Sequence, residues 1–136
     1  MITSSTYLNF AGNCEEAFNF YAKVLGAEIL MMLKAEGEML KQCGPDFEGK
    51  IMHARMNVGQ SVVMGSDSPG SFYRQPQGFS INVSVDDPAE ADRIYAAFAE
   101  GGTQTMPIAE TFWAKRFGMC TDRFGTPWMV NCEKPM

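Results

Sequence analysis

Two stretches of this chain carry the same helix design, and that repetition limits the fold more than any other feature. The first opens at Asn13 with Glu16 three positions on, a capping-box spacing, and places Ala17, Phe20, Tyr21 and Val24 on one stripe before Gly26. The second opens at Asp87 with Pro88 at the first helical position and Glu90 three after the cap; its stripe is Ala91, Ile94, Tyr95 and Phe98, closed by Gly101 and Gly102. A displacement of 74 positions lays Glu16 on Glu90, Ala17 on Ala91 and Tyr21 on Tyr95.

The surroundings repeat too. Strand-like runs at 6–11 and 79–85 precede the helices, the second alternating Phe79, Ile81, Val83 and Val85 against Ser80, Asn82 and Ser84. Three more follow each helix, at 28–34, 51–58 and 61–64, then at 103–108, 114–121 and 127–132. The closing hairpins match at a displacement of 66, Val58-Gly59 on Phe124-Gly125 and Val62 on Trp128. The first half therefore holds a surplus of eight residues, which falls in the aperiodic, Gly- and Pro-containing 36–50 and reads as a loop. A Pro/Gly/Ser connector spans 66–78.

The expectation is an α+β chain of one structural domain built from two βαβββ modules, 1–65 and 79–136. One such module cannot bury both faces of its sheet, so the two combine, helices outside and curved sheets enclosing a cup. Modules of this kind also pair between chains, so a homodimer is expected.

Composition narrows the partners. A formal charge of −5 and no basic cluster beyond Lys115-Arg116 exclude a nucleic-acid surface. The longest apolar run, 29–33, is far short of the ~20 residues that span a bilayer, and the opening residues lack the basic and apolar regions of a signal peptide. The expected location is the cytoplasm, with no membrane partner. The four cysteines, Cys14, Cys43, Cys120 and Cys132, show no metal-finger spacing and read as reduced thiols.

YLNFAGNCEEAFNFYAKVLGAE at the start and ETFWAKRFGMCTDRFGTPWMVN near the end resemble the opening and closing signatures of the PhnB-like branch of the glyoxalase/bleomycin-resistance (vicinal oxygen chelate) superfamily. The resemblance implies that superfamily's cup-shaped mixed sheet. Some members carry the label of ubiquinone-pathway methyltransferase or of DNA-binding protein. Neither has support in these residues, which show no strand-Gly-rich-loop-helix for a methyl-donor nucleotide and no basic stripe. The superfamily's enzymes hold a divalent metal at one position on the first and last strand of each module. Carried over, these fall on Thr6, Val63, Ser80 and Met129. Hard cations want carboxylate or imidazole donors, so the resemblance here implies no family-type metal centre and no cofactor.

The pocket residues expected from the chain are His53, Glu110, Trp113, Arg116, Ser80, Met129 and Thr6. His53, the only histidine, shares a strand face with Arg55 and Asn57; it reads as a pocket acid/base or as a histidine bonded to a neighbour. The segment 110–116 sets an acid, two aromatics and two bases in seven residues. Trp113 forms a ligand wall there while Arg116 takes a carboxylate or phosphate; alternatively it is an edge hairpin with a Glu110–Arg116 pair. Trp128 and Phe124 read as core, Asp122 and Gly125 as turn residues, Cys43 as a loop thiol, and the methionines as core filler suited also to an adaptable cavity. The leading function is a metal-independent small-molecule binder, or an enzyme of unknown substrate, taking an aromatic or anionic metabolite. The alternatives are a metal-dependent lyase, dioxygenase or resistance enzyme using His53 and Glu110, and an interaction dimer without ligand.

Overall fold

The computed structural model describes every residue except Pro69 and Met136, and the Met39 side chain. Those two residues, one in the expected connector and one closing the second module, lie outside the described residues. The chain divides into two compact units, Met1–Gln75 and Pro76–Met136.

The first unit runs β1 (Thr6–Phe10), α1 (Cys14–Leu25), β2 (Glu28–Lys34), a short α2 (Leu40–Cys43), β3 (Ile51–Val58) and β4 (Ser61–Asp67). Its four strands lie in the order β1-β4-β3-β2, with β1 parallel to β4 and the other pairs antiparallel. The second unit runs β5 (Ile81–Ser84), α3 (Pro88–Ala99), β6 (Thr103–Ala109), β7 (Ala114–Thr121) and β8 (Pro127–Glu133). Its order is β5-β8-β7-β6, with β5 parallel to β8. The two units thus share one βαβββ topology.

Each helix buries one stripe on its own sheet. On α3 that stripe is Ala91, Ile94, Tyr95 and Phe98, as the periodicity predicts, and Phe98 stacks on Trp128 at 4.1 Å. On α1 it is Cys14, Ala17, Phe18, Tyr21 and Val24, so Phe18 replaces the predicted Phe20, which is only half-buried. Aromatic residues at both positions made the two stripes indistinguishable by sequence.

Three expectations are corrected. Asn13 occupies the N-cap position of α1 but makes no side-chain cap bond; Asp67, from the end of β4, accepts from Cys14 N at 2.9 Å instead. The run 36–50 contains α2 and two short 3-10 turns, Gly37–Met39 and Pro45–Phe47. The strand predicted from Phe79 begins at Ile81, and β4 continues to Asp67, beyond the predicted end of the first module. Among the described residues no helix is long and apolar enough to cross a membrane.

Candidate functional site

The side chains that face away from the helices define what each sheet can offer a ligand. Leu8, Phe10, Ala54, Met56, Val63 and Gly65 lie on the α1 side of the first sheet: all but Gly65 are core residues, and a Cβ on Gly65 would meet Phe18 at 2.9 Å. Alternation therefore puts Tyr7, Asn9, His53, Arg55, Asn57 and Met64 on the opposite face. Strand register joins four residues there into one row across the sheet, Tyr7–Met64–Arg55–Met31, with Leu33 opposite His53 beside it.

That face mixes apolar area with one cation. Tyr7, Met31 and Leu33 are each more than two-fifths exposed. Arg55 is exposed, and among the described residues it has no carboxylate within ion-pair reach. Beside it, the Tyr7 Oη and His53 Nδ1 stand 3.4 Å apart with ring centroids at 5.8 Å. The histidine is thus bonded to a neighbour and still presented on the surface.

The corresponding face of the second sheet is different. Trp128, Val130 and Cys132 point toward α3, leaving Met129 and Asn131 on the other side; Phe117 and Met119 of β7 oppose them. The row equivalent to Tyr7–Met64–Arg55–Met31 is Asn82–Met129–Met119–Met106. A thioether replaces the guanidinium.

These registers correct the equivalence of Thr6, Val63, Ser80 and Met129. Val63 is buried on the helix side while Met129 lies on the opposite face of its sheet, and Ser80 precedes β5. The displacement of 66 is wrong by one residue because the β3–β4 hairpin turns on Gly59-Gln60, whereas β7–β8 turns through 122–126. A slip of one residue moves every side chain to the other face. The strand positions that do correspond on the helix-free faces are Tyr7, Met64, Asn82 and Met129. They supply one phenol, two thioethers and an amide, a donor set that does not fit a hard divalent cation. Among the described residues no three His, Cys, Asp or Glu side chains converge to hold a metal.

The segment 110–116 comes apart in the same way. Arg116 lies on the α3 side of β7 and donates from Nε to Asp92 Oδ1 at 2.6 Å. Glu110 pairs with Lys134 at 2.8 Å, which holds its carboxyl below the usual range, so the Glu110–Arg116 pair is replaced by two others. Trp113 packs edge-on against Phe117 at 5.2 Å and Phe112 at 4.8 Å, keeping two-fifths of its surface exposed. Trp113 and Arg116 therefore serve different faces. Thr6 borders an open cavity of about 530 Å³ lined chiefly by hydroxyls of 3–6 and by Gln60 and Ser61; none of its lining residues belongs to the Arg55 row.

Asp122 and Gly125 form the closing turn as expected. Asp122 accepts from Phe124 N, Thr126 N and Trp128 Nε1, and Gly125 takes φ 93°. Trp128 and Phe124 are core. Sequence reasoning missed Tyr7 and ranked Arg55 only as a neighbour of His53. Period-two alternation through TYLNF and IMHARMNV was the signal that could have set the three on one face.

Comparison with known proteins places the chain. A family profile described as 3-demethylubiquinone-9 3-methyltransferase matches residues 3–131. Protein YjdN of Escherichia coli is 36% identical over 140 residues, covering 96% of this chain and 95% of its own. The crystal structure of protein PA1353 from Pseudomonas aeruginosa is 45% identical with TM-score 0.86, over 99% of this chain and all of that one. The PhnB protein of Bacillus cereus is 28% identical with TM-score 0.82, over 96% of this chain and 99% of its own. A glyoxalase/bleomycin-resistance/dioxygenase domain from Frankia, 11% identical with TM-score 0.67 over 98% of each chain, shares the fold.

Proposed function

The chain belongs to the 3-demethylubiquinone-9 3-methyltransferase family, PhnB-like proteins of the glyoxalase/bleomycin-resistance fold, and from that premise we propose that it is a cytoplasmic, metal-independent protein that binds a small organic anion with an apolar body. The site proposed is the helix-free face of the first sheet. The observation that carries it is Arg55, an exposed guanidinium without a carboxylate partner among the described residues, set in register between Met64 and Met31. An unpaired guanidinium takes a carboxylate or phosphate bidentately. Met31, Leu33 and Tyr7 supply the exposed apolar area against which the rest of the molecule lies. Tyr7 and His53 offer further polar contacts at its edge.

Methyl transfer, which the family's description names, draws no support from the two strand-to-helix turns. These read Ala11-Gly12-Asn13 and Val85-Asp86-Asp87, not the glycine-rich loop that cradles a nucleotide. A homodimer remains part of the proposal, on the ground that βαβββ modules pair between chains.

The test is calorimetric titration with decanoate, decyl phosphate and decanol. A charge-assisted contact contributes about 1.5–3 kcal/mol, so either anion should bind at least tenfold tighter than the alcohol. Arg55→Met should remove the difference. The ratio between carboxylate and phosphate identifies the headgroup. Equal binding of all three, or an anion preference that survives Arg55→Met, overturns the reading.

A further inference from the structure

Cys43 and Met52 bring two sulfur atoms together in the first unit. The Cys43 thiol donates to the Met52 thioether, Sγ to Sδ 3.6 Å, and both residues are half-buried. Cys14, Cys120 and Cys132 are no more than 2% exposed, so Cys43 is the thiol that solvent reaches.

Two local features of the chain build this pair. The second unit passes from β6 to β7 through residues 110–113 alone, whereas the first inserts 35–50 between β2 and β3. That insertion carries α2, which ends at Cys43 because Gly44 turns to φ 93° and Pro45 follows. The β2–β3 ladder then steps from Leu33–His53 to Lys34–Ile51, leaving Met52 as the extra residue of a bulge, a device that re-aims a side chain.

The donor chemistry selects the ligand. A thiolate and a thioether are soft donors that favour Cu(I) and give hard cations nothing to hold. Imidazole is engaged elsewhere, since His53 Nδ1 stands 3.4 Å from Tyr7 Oη. An ion about 2.3 Å from each sulfur, the length of a metal–thiolate bond, would see the two at an angle of about 100° across their 3.6 Å separation. Cys43 also lines a cavity of about 250 Å³ with Asp46, Phe47, Lys50 and Ser68, which gives an ion a way in. The Lys50 ammonium in that wall donates to Gly12 O at 3.2 Å.

We propose that Cys43 Sγ and Met52 Sδ form a binding site for a soft monovalent cation, Cu(I). The thiol proton leaves to solvent as the sulfur–copper bond forms, and no oxidation state changes. This site shares no residue with the Arg55 row and does not rest on the anion reading. The two can fail separately.

The experiment titrates the reduced full chain, ¹³C-labelled at the methionine methyls, with Cu(I) added without oxygen as its acetonitrile complex. Met→Leu substitutions, which conserve volume, assign the signals. One equivalent should shift the Met52 methyl in a saturable way and shield Cys43 from iodoacetamide. Met52→Leu should weaken binding at least about tenfold, the lower end of what disturbing a metal's ligand support costs, and Cys43→Ser should abolish it. Zn(II) should leave the Met52 methyl where it is. A Met52 methyl unmoved by Cu(I), or a first equivalent taken up at Met106, Met119 and Met129, overturns the proposal. Equal affinity of Met52→Leu and the wild-type chain does so too, since the cysteine would then act alone, and a Zn(II) response matching that of Cu(I) overturns the choice of ion. The wild-type spectra decide the matter even if a variant fails to fold.

Discussion

Arg116 of β7 reaches across to α3 and donates from Nε to Asp92 Oδ1 at 2.6 Å, on the side of the sheet opposite Phe117 and Met119. The arginine side chain is 30% exposed and the aspartate 50%, so solvent screens the pair and it contributes about 0.5–1 kcal/mol. Arg116→Lys should lower Tm by a few degrees at most and leave the affinity for decanoate unchanged. Asp92→Asn should cost as much, and the two together no more than either alone. A loss of anion affinity in Arg116→Lys would return that residue to the ligand site.

Asp67 holds three segments of the first unit at once. Its carboxylate accepts from Gly12 N at 3.1 Å, Cys14 N at 2.9 Å and Ile51 N at 2.8 Å, and the residue is 5% exposed. It thereby ties the end of β4 to the start of α1 and the start of β3. Asp67→Asn keeps the volume but presents an amide N–H₂ to one of those donors, so roughly 2–4 kcal/mol should be lost. Urea denaturation measures it. A loss under 1 kcal/mol would show that the three amides find other acceptors.

Cys120 makes stability fall at alkaline pH. Burial, with Asp122 as a smaller contributor, pushes its thiol up from 9.0 to about 11. Below pH 9 both folded and unfolded chains keep the proton and stability is full. Between about 9 and 11 the unfolded chain ionises first, so the folded state loses on the order of 1–2 kcal/mol. Cys14, also raised by burial, adds to the same slope. Denaturation at pH 7.5, 9 and 10.5 should show the decline, and Cys120→Ala should flatten it while costing stability at neutral pH through the cavity left behind.

How far the chain could be read depended on whether one periodicity sufficed. The α3 stripe, β2, β3 and β7 follow from alternation and cap residues alone. Phe18 against Phe20 did not, because both are aromatic and only the packing on β3 and β4 chooses between them. The capping of α1 was hidden for another reason: its acceptor, Asp67, lies 53 residues away from the amide of Cys14. The paired positions on the two sheets were lost to a turn-length difference, which no gapless displacement can represent. His53 was legible as a surface donor, but its setting was not. Tyr7 and Arg55 become its neighbours only once β1, β4 and β3 are in register.

Gly118 offers the sharpest test of how the second unit packs. A Cβ there would stand 2.7 Å from the Tyr95 ring and 2.9 Å from both Cα and Cβ of Ile108, too close for either neighbour to remain in place. Tyr95 cannot simply swing aside. Its hydroxyl lies 3.0 Å from Met106 O and 3.1 Å from Met119 O, so the ring is tethered to the edge pair β6–β7. In the first unit the corresponding residue is Ala54, and the space is found instead at its partner Gly65, where the second unit has Val130 opposite Gly118. Each sheet thus keeps one glycine per pair beneath its helix, but on different strands. Gly118→Ala should therefore destabilise by about 2–3 kcal/mol through overpacking, while Ala54→Gly costs about 1 kcal/mol from backbone entropy. Tyr95→Leu, which removes the ring that the new methyl would strike, should recover part of the loss in the double variant. Additive losses in that cycle would mean that Ile108, not Tyr95, sets the limit at this position.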